Sequence, residues 1–228
     1  MDKQQVLLLF LQALVKEASD AGFLMRKITL LKYLYLLDVY MAQETGSKFT
    51  DINWIFWTFG PYANDGIAII DKIVENKLVV VETIETRFDN NLIQYKPIAD
   101  SPTRKEIWRL FPPQVLNKIF NIDLKRFWDD TYKLLDYVYF DTQPMMNVKP
   151  GDKLNFVNLD KDIEIESISL NPISKTKAKK VQELFARRKQ PKSHQLFPKF
   201  NDTLLQEFDT MFFAENPMNN FSGTVELK

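Results

Sequence analysis

The chain has 228 residues, of which 45% are hydrophobic and 13% aromatic, so it can bury a core without a stabilising metal or disulfide. It contains no cysteine, which excludes disulfide frameworks, thiolate nucleophiles and cysteine-ligated zinc or iron–sulfur sites. The formal net charge is zero, which argues against a basic footprint for nucleic acid over the whole surface.

The first segment, residues 2–19, repeats its apolar residues at helical spacing, and Gly22 is placed to end the helix. Its apolar run Val6–Val15 is too short to span a bilayer. Lys16 and Glu17 follow the run where a signal peptide needs small neutral residues. We therefore interpret the run as a buried helix, and we expect a cytoplasmic protein without a membrane segment.

The second segment predicts a helix from Ile28 to Thr45, closed by Gly46. Apolar residues occupy nearly every side of this helix, which is typical of a helix in the middle of a domain. Lys32 and Asp38 are its only charged residues before the last turn. Because an unpaired buried charge is costly, we expect each to be paired, hydrogen-bonded or facing a partner.

An aromatic segment follows at Trp54–Phe59 and ends in the turn Gly60-Pro61. Large aromatic side chains usually pack in a core, but exposed Trp or Phe beside a rigid turn would also make binding anchors, so both interpretations stay open. Proline is tolerated in the first turn of a helix. We therefore predict a third helix from Pro61 to about residue 76.

Residues 78–85 and 91–97 predict two antiparallel strands joined by a polar turn. Helical patterns recur in four later segments, residues 112–120, 124–139, 176–189 and 202–213. Residues 142–162 are rich in Pro, Gly and Asn, which predicts irregular structure. We predict a mainly α (α+β) fold, with a helical domain and its small antiparallel hairpin over residues 1–145 and a C-terminal extension with a basic helix and tail over residues 146–228.

Few residues offer catalytic chemistry. His194, the only histidine, lies in a polar, basic run, which is typical of a solvated surface residue. Acidic residues alternate with isoleucines between Asp160 and Glu166, a pattern that favours a half-exposed strand over a metal site. No phosphate-binding glycine motif and no Gly-x-Ser-x-Gly occurs. We predict no enzyme activity, no cofactor and no metal, and the catalytic alternative is a carboxylate-only site at Asp160, Asp162 and Glu164.

Three helices followed by a hairpin are also the element order of a winged-helix DNA-binding regulator, which is the alternative function. Its reading helix would be residues 61–77, whose three acidic and two basic residues give a net charge of −1, whereas a helix beside phosphates should be basic. The basic segment 175–192, with eight Lys and Arg against one Glu (net +7), is either a solvated helix face or a contact surface for an acidic protein or nucleic acid. Its candidate contact residues are Lys179, Lys180, Arg187, Arg188 and Lys189.

Three motifs follow one another in a particular order. Leu30–Asp38 is a leucine- and tyrosine-rich helical segment with Gly46 after it, Trp54–Pro61 is the aromatic segment closed by Gly-Pro, and Leu135–Tyr139 ends a late helix. Together these motifs resemble the Panacea-type, or SocA-like, antitoxin domain. The resemblance covers about residues 5–140, and the basic segment lies outside it.

The resemblance implies a mainly helical domain with a small hairpin that neutralises a toxin by direct binding, or delivers the toxin to a protease. It also implies a protein partner, such as a toxin encoded nearby, and nucleic acid stays a possible partner that is not favoured. The residues expected to bind the partner or to shape the site are Lys32, Tyr35, Asp38, Trp57, Gly60 and Pro61. The basic segment would be a second contact with the same partner.

Overall fold

The computed structural model describes residues 2–23, 25–85, 91–127 and 130–160. The first elements in chain order are α1 Lys3–Asp20, α2 Lys27–Thr45, β1 Ile55–Trp57, β2 Gly60–Tyr62, α3 Asn64–Glu75, β3 Val79–Glu85 and β4 Asn91–Pro97. Four short helices follow, α4 Arg104–Ile107, α5 Pro113–Leu116, α6 Leu124–Arg126 and α7 Thr131–Asp136. The fold is mainly helical with small antiparallel sheets, which confirms the predicted class, and the predicted basic helix lies outside the described residues.

Helix α2 is the central helix of the domain, as its all-round apolar pattern predicts. Nearly all of its side chains are buried, and it packs against α3, α5, α7, β2 and β4. It ends at Gly46, which has a φ angle of 80° and donates its N–H to the Ala42 carbonyl at 2.9 Å. Glycine adopts this left-handed conformation without steric cost, which confirms the predicted helix end.

The β3–β4 hairpin is confirmed, with pairing from Val79 opposite Pro97 to Glu85 opposite Asn91. Its connection, residues 86–90, lies outside the described part of the chain. The Tyr95 N–H donates to the Met25 carbonyl at 2.8 Å, which joins the hairpin to the link between α1 and α2.

Residues 55–62 correct the predicted start of the third helix. They form an antiparallel pair in which Trp57 lies opposite Gly60 and Phe56 opposite Pro61, and α3 begins only at Asn64. The Phe56 N–H donates to the Asp152 carbonyl at 2.8 Å, away from β2. Phe56 and Pro61 are therefore a non-hydrogen-bonded pair. The pairing of the two strands needs no hydrogen bond from residue 61, so proline, which has no N–H, is tolerated there.

The chain after the last helix returns to this pair. The Gly151 N–H donates to the Phe56 carbonyl at 2.7 Å, and the Leu154 N–H donates to the Trp54 carbonyl at 2.9 Å. Residues 151–154 thus pack on the first part of the chain. The predicted division into residues 1–145 and 146–228 stays a prediction.

The predicted single helix over residues 124–139 is wrong. The chain leaves the helical conformation after Arg126, and α7 starts at Thr131 because the Asp130 carboxylate accepts the backbone N–H groups of Tyr132 at 2.9 Å and Lys133 at 3.1 Å. The π-helical turns Asn117–Asp123 and Tyr137–Asp141 continue α5 and α7. The described part of residues 142–162 is irregular apart from one short 3₁₀ turn, as predicted.

Gly66 allows α3 to approach α2 closely. A Cβ atom at this position would lie 2.8 Å from the Leu31 Cδ1 atom, and Leu31 is fully buried. We expect Gly66→Ala to lower the free energy of unfolding by about 1–2 kcal/mol, although alanine is the better helix former by about 1 kcal/mol. Urea denaturation measures the change, and Leu31→Val should reduce the loss if the clash causes it. An unchanged or raised stability for Gly66→Ala would contradict the prediction.

Candidate partner-binding site

The turn of the β1–β2 pair meets the end of the last helical stretch, and we call this region the Gly60 corner: Trp57, Gly60, Pro61, Tyr139 and Phe140. Gly60 has a φ angle of 82°, and a Cβ atom there would lie 3.3 Å from the Tyr139 Cδ2 atom. The Tyr139 ring lies 5.1 Å from the Phe140 ring, centroid to centroid. Glycine therefore serves two purposes at residue 60, since it allows the left-handed turn and lets Tyr139 approach the backbone.

Lys32 lies directly beneath the Gly60 corner. Its ammonium group is fully buried and donates to the Pro61 carbonyl at 2.8 Å. Burial lowers the pKa of Lys32 to about 7. The predicted hydrogen bonding of this charge is confirmed, and the bond joins α2 to β2.

Asp38 stabilises the segment that leads into β1. Its fully buried carboxylate accepts the Thr50 N–H at 2.8 Å, the Thr50 hydroxyl, and the Trp54 indole N–H at 2.8 Å. Burial raises the pKa of Asp38, and the three donors act against that rise. This charge too is hydrogen-bonded, as predicted.

Tyr35 connects α2 with the segment after the last helix. The Thr142 hydroxyl donates to the Val138 carbonyl at 2.6 Å, so the Tyr35 hydroxyl donates to the Thr142 oxygen at 2.8 Å. The Tyr35 ring also packs edge-on against Trp54, with centroids 5.5 Å apart. Like Lys32 and Asp38, Tyr35 is fully buried, so these three residues hold the site in place from below rather than presenting atoms at the surface.

Of the side chains that the site exposes, Trp57 was predicted from sequence and Phe140 was not. Phe140 is 49% exposed and Trp57 is half-buried, whereas Gly60, Pro61 and Tyr139 are buried. The acidic residues Asp136 and Asp141 are exposed beside Phe140. Burial, together with neighbouring carboxylates that include Asp141, raises the pKa of Asp136. The surface is therefore an aromatic centre with an acidic edge. The one sequence sign was Phe140 directly after Leu135–Tyr139, next to an aspartate.

The aromatic segment itself has two roles. Trp54, Phe56 and Phe59 are buried, which confirms the core interpretation for these three. The Phe56 ring lies edge-on to Tyr139 with centroids 5.1 Å apart, so the core continues directly into the Gly60 corner. Trp57 alternates with these residues and reaches the surface, so the anchor interpretation stays open for it.

A second buried network fixes the opposite end of α2, and sequence reasoning missed it. The Tyr40 hydroxyl donates to the Asp123 carboxylate at 2.5 Å and lies 3.1 Å from the Tyr137 hydroxyl. The Lys118 ammonium lies 4.1 Å from the centroid of the Tyr40 ring. Burial raises the pKa of Asp123 to about 6. This network holds the stretch from α5 to α6 and the start of Tyr137–Asp141 against α2.

Several other predicted residues bear on the catalytic and nucleic-acid alternatives. Among the described residues, no group of three or more His, Cys, Asp or Glu is arranged to hold a metal ion. Asp160 is exposed, whereas the remaining candidates lie outside the described residues: Asp162, Glu164, Lys179, Lys180, Arg187, Arg188, Lys189 and His194. In the part of the chain that the structure covers, no helix is long and apolar enough to cross a membrane.

Helix α3 does not have the charge of a DNA-reading helix. Its exposed ends carry Asp65 in the first turn and Glu75 in the last. Its one basic residue, Lys72, is half-buried. Phosphates would be repelled by the acidic residues, so the winged-helix element order is not accompanied by a basic reading surface on this helix.

These features define a mainly helical protein with a rigid, aromatic surface corner built on buried charges. The family model of the antitoxin SocA-like proteins, the Panacea domain, matches residues 30–196, and the chain belongs to this family. The match extends beyond the expected residues 5–140 at its C-terminal end and includes the basic segment 175–192. Comparisons with curated proteins and with solved structures gave no match.

The three motifs that resemble this family meet in space. Leu30–Asp38 supplies Lys32, whose ammonium bonds to Pro61 of the second motif. Leu135–Tyr139 supplies Tyr139, which lies against Gly60 and Phe56. Segments more than seventy residues apart in sequence are thus brought together at the Gly60 corner.

Proposed function

We propose that this protein is an antitoxin-like module without catalytic activity, which neutralises a partner toxin by binding it at the Gly60 corner. The observation that carries the proposal is the meeting of the three family motifs at this corner through the Lys32–Pro61 and Gly60–Tyr139 contacts. Membership of the SocA-like antitoxin family supports a protein as the partner. Delivery of the bound toxin to a protease is the second route by which such binding would remove it.

The Gly60 corner suits binding because it is already ordered. A hydrogen bond from a buried ammonium, an edge-on aromatic contact and the backbone pairing with residues 151–154 all fix it. A surface that is ordered before the partner arrives loses little conformational entropy on binding. Buried Lys32, Tyr35 and Asp38 act in the proposal as positioning residues for Trp57 and Phe140.

The surface chemistry indicates what the partner presents. The exposed parts of the Trp57 and Phe140 rings would pack against apolar side chains, which form the centre of most protein interfaces. Asp136 and Asp141 at the edge would meet Lys or Arg, since complementary charge selects a partner and speeds encounter. We therefore propose an apolar partner segment flanked by basic residues.

The basic segment 175–192 is retained in the proposal as a second contact, since it lies within the family match.

A cytoplasmic site of action is also part of the proposal. It agrees with a sequence that contains no cysteine, which suits a reducing compartment.

We expect Phe140→Ala to weaken binding of the partner by about 30-fold or more, because aromatic residues at the centre of an interface contribute at least about 2 kcal/mol. The partner to use is the product of the reading frame next to this protein's gene, and isothermal titration calorimetry measures its affinity. Trp57→Ala should weaken binding as well.

Val80→Ala is the matched control, because Val80 is 46% exposed and lies on β3, outside the Gly60 corner. It should leave the affinity within about twofold of wild type, as a truncation outside an interface does. Wild-type affinity for Phe140→Ala, with the variant folded, would remove the Gly60 corner from the proposal. An equal loss for Val80→Ala would do the same.

A further inference from the structure

A stretch rich in basic residues, 104–126, lies outside the Gly60 corner. Residues 104–126 contain six Lys and Arg but only two acidic residues. Glu106 accepts the Thr103 N–H at 2.6 Å and the Thr103 hydroxyl at 3.0 Å, and these bonds hold its pKa below the usual range. Asp123 is buried beneath Tyr40. Asp123 interacts with Lys118 and Arg126. Residues 104–109 therefore carry three basic side chains, Arg104, Lys105 and Arg109, against the one ionised carboxylate of Glu106.

A groove lies within this stretch, beside an exposed tryptophan. Its volume is about 360 Å³, and it is lined by Arg104, Lys105, Trp108, Arg109 and Asn121. Trp108 is 36% exposed, while Lys105 and Arg109 are exposed and form no ion pair within the described part of the chain. We call it the Trp108 groove.

One side of the Trp108 groove is held in place by hydrogen bonds. The Arg104 guanidinium donates to the Asn121 side-chain oxygen, and the Asn121 amide donates to the Asn117 oxygen at 2.6 Å. Glu17 accepts the Arg104 backbone N–H at 3.4 Å. These contacts fix α4 against α1 and the stretch after α5, so Lys105, Trp108 and Arg109 project from a positioned support.

We propose that the Trp108 groove binds an acidic segment of a protein partner, with an apolar side chain against Trp108 and carboxylates on Lys105 and Arg109. Tryptophan and arginine are the residues most enriched at the energetic centres of protein interfaces. Two unpaired cations beside an apolar ring attract carboxylates and leave the ring free for packing. The proposal rests on the proposed function only in taking the partner to be a protein.

The charges around the groove favour a short acidic peptide over a nucleic-acid strand. Binding without sequence preference requires a positive track that follows the phosphate backbone over several nucleotides. Here Lys118 lies over the Tyr40 ring, and Arg126 lies over the Tyr137 ring at 5.1 Å. Glu17, beside Arg104, would repel a strand that continued past the groove. Lys105 and Arg109, the cations that stay available to a ligand at the groove, form a compact group.

The Trp108 groove and the Gly60 corner carry opposite charge. The groove presents cations around a tryptophan, and the corner presents carboxylates around a phenylalanine. The two surfaces would therefore take two different segments of a partner, one acidic and one basic. This separation allows each surface to be disabled without changing the other.

Fluorescence anisotropy with a labelled peptide tests the proposal. The probe is a short peptide in which glutamates flank a Leu-Phe pair, with a second peptide in which glutamine replaces each glutamate and a labelled single-stranded oligodeoxynucleotide. We expect the full-length protein to bind the glutamate peptide, and to bind the glutamine peptide at least about tenfold more weakly. We expect no binding of the glutamate peptide by the Trp108→Ala variant, or by the double variant Lys105→Glu with Arg109→Glu.

The matched charge control is Lys3→Glu with Lys77→Glu, because both lysines are exposed and neither lines the groove. This control should bind the glutamate peptide within about twofold of wild type. No binding of the glutamate peptide by wild type, equal loss in the control, or binding of the oligonucleotide alone would each overturn the proposal. If the Trp108 groove variants lose the glutamate peptide but bind the partner at the Gly60 corner with wild-type affinity, the groove proposal is supported. If Phe140→Ala does not weaken partner binding, the Gly60 corner proposal fails, and the peptide result at the groove is unaffected.

Discussion

Replacing Asp38 by alanine is expected to lower the free energy of unfolding by about 3–5 kcal/mol, a large part of the total stability of a domain. The substitution removes the acceptor for the Thr50 N–H, the Thr50 hydroxyl and the Trp54 indole N–H, all of which are buried. A buried donor without an acceptor costs about 1–3 kcal/mol, and here three are left together. Urea denaturation followed by circular dichroism measures the loss.

Two comparisons isolate the cause. Asp38→Asn keeps one side-chain oxygen as an acceptor, so it should lose less stability than Asp38→Ala. Asp51→Ala removes an exposed carboxylate nearby in sequence and should change stability by no more than about 0.5 kcal/mol. A loss below about 1 kcal/mol for Asp38→Ala would contradict the assigned role of this carboxylate.

The wild-type protein is expected to gain about 3 kcal/mol of stability between pH 7 and pH 9.5 because of Lys32. Burial lowers the folded-state pKa of Lys32 from 10.5 to about 7. Over this window the unfolded chain binds the proton that folded Lys32 has released, so stability rises with pH. Burial also raises the pKa values of Tyr33 and Tyr35 in the folded state. Above this window the unfolded chain therefore loses these protons before the folded protein does, so stability falls with pH and the rise ends.

Lys32→Met tests this assignment directly. Methionine fills a similar volume without a charge, so the part of the rise that Lys32 supplies between pH 7 and pH 9.5 should disappear. Burial also lowers the pKa of Lys118, whose contribution stays in both proteins. At pH 7 the variant should be near wild-type stability, because the removed cost of burying a charge offsets the lost hydrogen bond to Pro61. Lys77→Met, at an exposed site, should keep the wild-type rise. Thermal denaturation across the pH series decides the matter, and parallel profiles for wild type and Lys32→Met would refute the assignment.

Local patterns in the sequence predicted the elements that depend on local chemistry. The all-round apolar pattern of α2, its end at Gly46 and the β3–β4 hairpin were all predictable, because propensity and turn residues decide them. The β1–β2 pair was not predictable, because Pro61, considered without its partners in the fold, indicates the start of a helix. The pair depends on Phe56 bonding to residues 151–152, nearly a hundred residues away, which no local pattern contains.

The candidate site, like the fold, could be predicted from the sequence only in part. Lys32 and Asp38 stood out as charges in an apolar helix, and their need for hydrogen bonds followed from the cost of burial. Phe140 could not be predicted as exposed, because its neighbours Val138 and Tyr139 are buried and only the packing distinguishes them. The basic stretch 104–126 was not apparent from charge counts, because residues 101–170 hold 10 basic and 11 acidic residues, a net charge of −1.

Growth rescue tests the central claim most directly. A test bacterium would express the reading frame next to this protein's gene, alone, with the wild-type protein, or with the folded Phe140→Ala variant. The proposed function predicts arrest by the frame alone, restored growth with wild type, and continued arrest with Phe140→Ala. Arrest that the wild-type protein does not relieve, with both products made, would contradict the claim that this protein neutralises that partner at the Gly60 corner.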